Sequence, residues 1–166
     1  MKRYLSILLA VLCMMLAAPA LADMASAESI ALTVNGTAIE GSACTNPDGA
    51  LCLPLVPVAE ALGYKVEISE LTEGDAYRVV YTLTPQPQEG CPAQPQLMVA
   101  YSIDGDQPTA VAISKDQILL PLKQSMTLKD CEPYMPSEFF ETGMCVAFEC
   151  AEDMQTLNIT QVPYAG

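Results

Sequence analysis

Two prolines and a glycine restrict the helix that one short apolar segment can form. The segment is LCLPLVPVAEALGYKVEIS at residues 51–69. Pro57 suits the first position of a helix, where its missing N–H has no partner to lose. Gly63 suits the left-handed position that follows a helix C-terminus. The bracketed helix has only about six residues, which is too few for a helix to be stable alone. The segment therefore predicts a short helix that docks on a sheet.

Strand patterns lie on both sides of this helix. Residues 30–34 alternate apolar with polar or small side chains, as a half-buried strand does, and Asn35-Gly36 suits a two-residue type I′ turn. The turn signal NPDG separates residues 37–44 from residues 50–53, which predicts a second hairpin. The alternating segments YKVEIS, YRVVYTL, MCVAFEC and QTLNIT predict further strands.

The same pattern occurs twice along the chain. LTVNGTAIEG followed by LCLPLVPVAEALGYKVEI is echoed by YSIDGDQPTA followed by ILLPLKQ and FFETGMCVAF. A self-similar unit of this kind indicates one supersecondary element used twice. We therefore expect an α+β fold in two related βαβ-type halves. The corresponding turn and helix-boundary residues form three pairs: Gly36 with Gly105, Pro54 with Pro121, and Gly63 with Gly143. Pro57 occurs in the first copy only.

The first 22 residues have the composition of a secretory signal peptide. A basic start precedes an apolar core over residues 5–18 and the small-x-small sequence ALA at 20–22. The apolar core is shorter than the ~20 residues of a membrane-spanning helix. Residues 25–27, ASA, form a second small-x-small sequence, so the signal peptidase can cleave after Ala22 or after Ala27. We expect a secreted or cell-envelope protein with no membrane span after signal cleavage.

The charge of the chain restricts its partners. The leader holds two of the seven basic residues and none of the twenty acidic ones, so the remaining 144 residues carry a net charge of −15. This length corresponds to one domain. The negative charge repels nucleic acids and anionic membranes, so we expect neither as a partner. It is compatible with cationic partners and with weak divalent-ion binding.

Six cysteines remain after removal of the leader. An even number in an exported chain predicts up to three disulfides, and neither Cys-x-x-Cys pairs nor histidines provide the spacing of a zinc site. Cys44 and Cys52 flank the second hairpin turn, which makes them the preferred pair, and the other connectivities stay open. The disulfide candidates are Cys44, Cys52, Cys91, Cys131, Cys145 and Cys150.

A proline-rich segment, TPQPQEGCPAQPQ at 84–96, separates the two halves. Its four prolines and lack of apolar period predict a loop of extended character. Cys91 can tie the loop to the domain, and the alternative is a recognition loop. The expected organisation is a signal peptide over 1–22, a flexible N-terminus over 23–29, and one domain over 30–162 with halves 30–84 and 97–162 joined by loop 85–96.

The sequence lacks the residue patterns of common enzymes. It has no histidine to activate a serine or cysteine nucleophile, and no phosphate-binding or dinucleotide-binding glycine motif. Carboxylate pairs can cleave glycosides, but the absence of tryptophan removes the favoured sugar-stacking surface. We expect neither catalytic activity nor a cofactor.

Asp104 and Asp106 could contribute to a calcium site, although a hairpin turn is the favoured interpretation.

One aromatic cluster could form an exposed interaction patch, with core packing as the favoured alternative. It consists of Tyr134, Met135, Phe139 and Phe140.

The chain over 30–160, which includes both copies, resembles the copper amine oxidase N-terminal domain-like family, also called stalk domains, which are common in exported bacterial proteins. The resemblance is best over 32–68. The resemblance rests on a strand ending in Val-Asn-Gly, then Leu-Pro-Leu, a short helix closing on Leu-Gly-Tyr, and a Val-Glu-Ile strand. It implies a fold of small antiparallel β-sheets wrapped around short helices. It also implies a non-catalytic structural or adhesive module of the cell envelope that binds an extracellular protein or a cell-wall component. The alternative is a secreted inhibitor or ligand-binding protein that uses the proline-rich segment 84–96.

Overall fold

The computed structural model describes residues 30–73, 76–87, 94–104, 107–152 and 155–162, which form two β-sheets and two short helices. The fold class is α+β, as predicted, with strands in the majority. In chain order the elements are β1 (Ile30–Val34), β2 (Thr37–Thr45), β3 (Leu51–Pro54), α1 (Leu55–Ala61), β4 (Tyr64–Glu73), β5 (Ala76–Pro85), β6 (Leu97–Asp104), β7 (Gln107–Lys115), β8 (Ile118–Leu119), β9 (Thr127–Lys129), β10 (Glu132–Pro136), α2 (Ser137–Met144), β11 (Val146–Cys150) and β12 (Thr156–Gln161).

The first sheet has seven strands in the order β11-β12-β1-β2-β3-β10-β9. Its strands pair antiparallel except for β1 and β12, which are parallel and place Leu32 beside Leu157. The buried positions of β1 alternate along the strand, as its sequence predicts. At the β1–β2 turn, φ is +48° at Asn35 and +80° at Gly36, so the predicted turn with two left-handed residues is confirmed.

The second sheet has five antiparallel strands in the order β4-β5-β6-β7-β8. The register pairs Asp104 with Gln107. Asp104 therefore belongs to β6 rather than to a turn, and residues 105 and 106 lie outside the described residues.

Each predicted half contributes to both sheets. The segment before the proline-rich loop supplies β1, β2 and β3 to the seven-stranded sheet, and β4 and β5 to the five-stranded sheet. The segment after it supplies the other seven strands in the same way. The two sheets and the two helices share one hydrophobic core, in which Leu53, Leu55, Leu83, Leu97 and Phe139 are fully buried.

Helix α1 begins earlier than its proline predicts. Leu55 is its first residue and Pro54 precedes it with extended backbone angles, so Pro57 is the third helical residue rather than the first. The proline is tolerated there because the first turn of a helix has no intrahelical acceptors for its N–H groups. Leu62 is the C-cap of the helix. Gly63 follows with φ +86°, which confirms the left-handed position predicted for it.

Helix α2 ends later than predicted. The sequence predicts Gly143 at a helix boundary, but Gly143 lies inside the helix and Cys145 adopts the left-handed conformation after it, with φ +54°. Gly143 is buried, and a Cβ at this position would meet Leu97 and Leu120 at ordinary contact distances of 3.5 and 3.6 Å, so neither a left-handed backbone nor a lack of space requires a glycine here. The predicted equivalence of Gly143 with Gly63 is therefore wrong.

The predicted disulfides are also wrong. Cys44 lies directly opposite Cys52 in the β2–β3 pair, as expected for the hairpin, but both are free thiols. Opposite residues of an antiparallel pair hold their Cβ atoms about 4.5–5.5 Å apart, whereas a disulfide requires about 3.5–4.5 Å. Cys131, Cys145 and Cys150 are free as well, and Cys91 lies outside the described residues.

Within the described ranges, no helix combines the length and apolar character needed to cross a bilayer. The predicted signal peptide over 1–22 and the N-terminus over 23–29 lie outside these ranges, as does the middle of the proline-rich loop.

Candidate binding groove at the edge of the five-stranded sheet

Strand β7 leaves part of its backbone edge open. Strand β8 pairs with β7 only at Ser114 and Lys115, and the Leu120 N–H donates one further bond, of 2.8 Å, to the Ile113 carbonyl. Among the described residues, no strand pairs with residues 107–112 on the side away from β6. Apart from the missing N–H of Pro108, their outward N–H and C=O groups are therefore available to an added strand.

A β-bulge lies in the same stretch of β7. The register with β6 shifts by one residue beyond the Ala100–Ala112 pair, so that Tyr101 faces an extra residue on β7. A bulge bends its strand and increases the local twist. Val111 lies at this irregularity and is 41% exposed.

The chain after β8 turns away from β7 and forms the opposite wall of a groove. Hydrogen bonds from other elements hold this wall in place. The Glu138 carboxylate of α2 accepts bonds from the backbone N–H groups of Lys123, at 2.9 Å, and Gln124, at 3.3 Å. The Asn46 side chain donates a 2.8 Å bond to the Ser125 carbonyl.

Asn46 is buried and uses both ends of its amide. Its oxygen accepts a 2.7 Å bond from the Ala50 N–H, and its backbone N–H donates to the Ala50 carbonyl at 2.9 Å. The NPDG turn that the sequence marks as a hairpin therefore also anchors the wall of the groove. Such a site is formed before any ligand arrives, which reduces the ordering entropy of binding.

The groove encloses about 610 Å³, a volume typical of small-ligand and peptide sites. None of its lining residues is ionisable, in a chain whose net charge is −13. Binding there would rest on apolar contacts and backbone hydrogen bonds. The lining residues are Pro108, Val111, Ala112, Ile113, Leu119, Leu120, Pro121, Leu122, Gln124, Ser125 and Met126.

A smaller hollow of about 300 Å³ lies beside Leu119, which also lines the groove. Its other lining residues come from β5, from β6 and the residue before it, from β7 and from the turn before β8. Met98 and Leu119 are exposed by 40% and 74%, respectively. Exposed apolar side chains thus continue from the groove around the short strand β8.

The predicted interaction patch is not on the surface. Tyr134 and Met135 belong to β10, which is paired on both sides, with β3 and with β9. Phe139 and Phe140 lie on the buried side of α2 in an edge-to-face contact, with ring centroids 5.2 Å apart. All four residues are buried. They fill the core, which is the favoured interpretation of the cluster, and they do not form the exposed patch that was its alternative.

The free cysteines differ in environment. Cys52 is fully buried, and this burial, with the neighbouring Cys44 thiol, raises its pKa to about 12. Burial also raises the pKa of Cys44, partly offset by the positive charge of Lys129. Cys131 and Cys150 are exposed, and Cys145 is half-buried.

The remaining sequence-predicted residues do not form a site. Gly36 lies in the β1–β2 turn, and Gly63 follows the C-terminus of α1. Pro54 is the last residue of β3, directly before α1. Pro121 is the exception, because it lines the groove. Its structural role differs from that of Pro54, whose counterpart before α2 is Pro136.

The structure offers no support for a metal centre among the residues it describes, where no three histidine, cysteine, aspartate or glutamate side chains come together. Asp104 ends β6, whereas Asp106 lies outside those residues.

The sequence alone did not reveal the groove. Pro121 and the short apolar run before it were the available signals. The groove, however, depends on where the wall lies relative to β7, and distant residues on α2 and in the β2–β3 turn hold the wall there.

No protein-family model, curated protein or solved structure matches the chain.

Proposed function

We propose that the chain is a non-catalytic structural or adhesive module of the cell envelope or the secreted fraction, which holds an extracellular partner in the groove between β7 and residues 119–126. The observation that carries the proposal is the groove itself: uncharged, preformed and bordered by an unpaired strand edge. The signal-like leader supports the location.

The groove suits an extended protein segment. An added strand can bond to the outward backbone groups of residues 107–112 and place alternate side chains among the apolar lining. Backbone bonding provides affinity for many sequences, and the lining selects apolar side chains. The lack of ionisable lining residues favours binding over acid–base chemistry.

Site-specific photo-cross-linking tests this proposal. A benzoylphenylalanine at Val111, in the groove, should cross-link the partner in the exported fraction of the native host. The same group at Thr160, exposed on β12 in the other sheet, is the control. Equal cross-linking from both positions, or none from Val111, contradicts the proposal.

A matched pair of variants tests the wall of the groove. Glu138→Ala removes the acceptor of two backbone hydrogen bonds and should weaken cross-linking from Val111. Glu141→Ala changes an exposed carboxylate on the same helix and should leave cross-linking unchanged. Equal effects of the two substitutions would show that the wall is not involved.

The proposed export of the chain can be tested separately, through its N-terminus. Export predicts a mature chain that starts at Asp23 or at Glu28, after either small-x-small site. Mass spectrometry of the chain from the culture supernatant and the cell wall should find one of these termini. An uncleaved chain confined to the cytoplasm contradicts this part of the proposal.

An inhibitor or ligand-binding role through the proline-rich segment is the second candidate. Hydrogen bonds hold both ends of the segment: the Gln86 N–H donates to the Gly63 carbonyl at 2.9 Å, and Gln96 and Asp116 bond to each other. Anchored ends favour the presentation of a loop to a partner. In this case a cross-linker at Gln86, rather than at Val111, captures the partner.

A further inference from the structure

The opposite edge of the five-stranded sheet has a different character. Strand β4 is ten residues long and pairs with β5 in an uninterrupted register. It is the terminal strand of its sheet, and its other side has no strand partner within the described residues. It contains no proline and no bulge, which are common protections of an edge strand.

The second half of β4 extends beyond the core. Every residue from 67 to 72 is exposed, including Ile68 and Leu71, each with 54% of its surface accessible. Ile68 lies opposite Tyr81 and Leu71 opposite Arg78, so the two apolar side chains are on different faces of the sheet. An added strand would find one apolar contact on each face.

Acidic side chains accompany the apolar ones on both faces. Glu67 lies on the same face as Leu71, and Glu70 on the same face as Ile68. Glu67 forms an exposed ion pair with Lys65 at 2.7 Å, an interaction that solvent makes weak. Glu70 accepts a hydrogen bond from Tyr77 on β5. Each face of the edge therefore combines one apolar and one acidic side chain.

We propose that the free edge of β4 binds an extended basic segment of a partner protein as an additional antiparallel strand. Charge complementarity supports this choice of partner, because lysines facing Glu67 and Glu70 gain opposite-charge cross-strand pairs. The net charge of −13 attracts such a segment from a distance. The site is separate from the groove on β7.

The same charges act against a second copy of this chain. β4 has three glutamates, at 67, 70 and 73, and one lysine. Two copies paired along this edge would bring strands of the same net sign together, between molecules that already repel each other. The acidic side chains thus protect the edge from self-association while leaving it open to a cationic strand.

The register defines the expected sequence of the partner. Across residues 72 back to 66, an antiparallel strand should read TVKTVKT, with valines opposite Leu71 and Ile68 and lysines opposite Glu70 and Glu67. The peptide acetyl-TVKTVKT-amide is therefore the probe. TVETVET reverses its charge, and TKVTKVT keeps its composition but places lysines opposite the apolar residues.

Nuclear magnetic resonance titration of the chain lacking its leader provides the test. TVKTVKT should shift the β4 amides and slow hydrogen exchange at alternate residues of 66–72, as strand addition requires. TVETVET should bind at least about tenfold more weakly, and TKVTKVT should also bind more weakly. Raising the salt to about 0.5 M should reduce binding of TVKTVKT.

The variant Glu67→Lys, Glu70→Lys should exchange the preference, binding TVETVET better than TVKTVKT. Both positions are exposed, so the fold tolerates the change. Equal binding of the two charged peptides, shifts confined to the groove, no shift at all, or a dimer through β4 without peptide would each overturn the inference. Shifts in the groove would leave the proposed function standing, which separates the two proposals.

Discussion

Three buried tyrosines show how one hydroxyl group can stabilise or destabilise the fold. Tyr81 and Tyr101 stack with ring centroids 6.1 Å apart, and their hydroxyls are hydrogen-bonded to each other. The Tyr64 hydroxyl is buried and finds no hydrogen-bond partner among the described residues. Its burial raises its pKa. An unpaired buried hydroxyl retains its desolvation penalty, whereas a paired one does not.

Replacement of these tyrosines by phenylalanine should therefore have opposite effects. Tyr64→Phe should raise the free energy of unfolding by up to about 1 kcal/mol, because it removes an unpaired polar group. Tyr101→Phe should lower it by about 1 kcal/mol, because it leaves the Tyr81 hydroxyl unpaired. Urea denaturation of both variants measures the difference. A loss of stability in Tyr64→Phe would contradict this description of the core.

The buried thiol of Cys52 predicts a loss of stability at alkaline pH. Its pKa rises from 9.0 to about 12 on folding. The stabilising contribution is complete below pH 9 and is lost as the pH rises towards 12, because the unfolded chain releases this proton first. Cys52→Ala should lower stability at neutral pH but flatten its decline above pH 9. Urea denaturation below and above pH 9 measures the change, and an unchanged decline in Cys52→Ala would contradict the prediction.

At the scale of the elements, the two helices end by different means. Helix α1 ends before a glycine with positive φ, whereas α2 contains its glycine and places Cys145 in the left-handed conformation. Both helices follow a proline with extended backbone angles, at the ends of the paired strands β3 and β10. The same strand–proline–helix unit thus occurs twice, but with different helix ends.

Alanine substitutions should separate the two glycines. Gly63→Ala should destabilise the fold by about 1 kcal/mol or more, because an L-residue is strained at φ +86°. Gly143→Ala should be neutral or stabilising by up to about 1 kcal/mol, since alanine favours helices and its Cβ would meet Leu97 at an ordinary 3.5 Å. Thermal unfolding measures both. An equal loss at the two positions would refute the different roles.

At the scale of the whole molecule, the pairing of β1 with β12 joins distant parts of the chain. This parallel pair lies within the seven-stranded sheet and is flanked by β2 and β11. Ile159 on β12 is fully buried and lies beside Val34. Across the same pair, the Thr33 hydroxyl donates a hydrogen bond to the Asn158 side chain. The sheet therefore depends on β12, the last strand that the structure describes.

Truncation of Ile159 should be strongly destabilising. Ile159→Ala removes a fully buried side chain and should lower the free energy of unfolding by about 2–5 kcal/mol. Thr160→Ala, at the exposed neighbour on the same strand, should change it by less than about 0.5 kcal/mol. Urea denaturation of the two variants checks the prediction. A small effect at Ile159 would mean that β12 is not an integral strand.

Local sequence signals predicted much of the secondary structure and little of the site. The alternation in β1, the Asn35-Gly36 turn, the hairpin that places Cys44 opposite Cys52 and the end of α1 at Gly63 all follow from short-range sterics and burial. The predicted disulfides were wrong, and the sequence favoured a core position for the aromatic cluster without excluding an exposed one. Both depend on distances between strands and on which face of a helix is covered, and a short-range pattern contains neither.

The sequence by itself determined where the chain turns, which residues alternate into strands and which charge the molecule carries, because each of these depends on single residues and their immediate neighbours. Only the tertiary structure decided that Pro121 and Met126 line a groove, that Phe139 is core and that β4 keeps a free acidic edge. Those outcomes depend on strand order and on hydrogen bonds between residues far apart in the chain, such as Asn46 and Ser125.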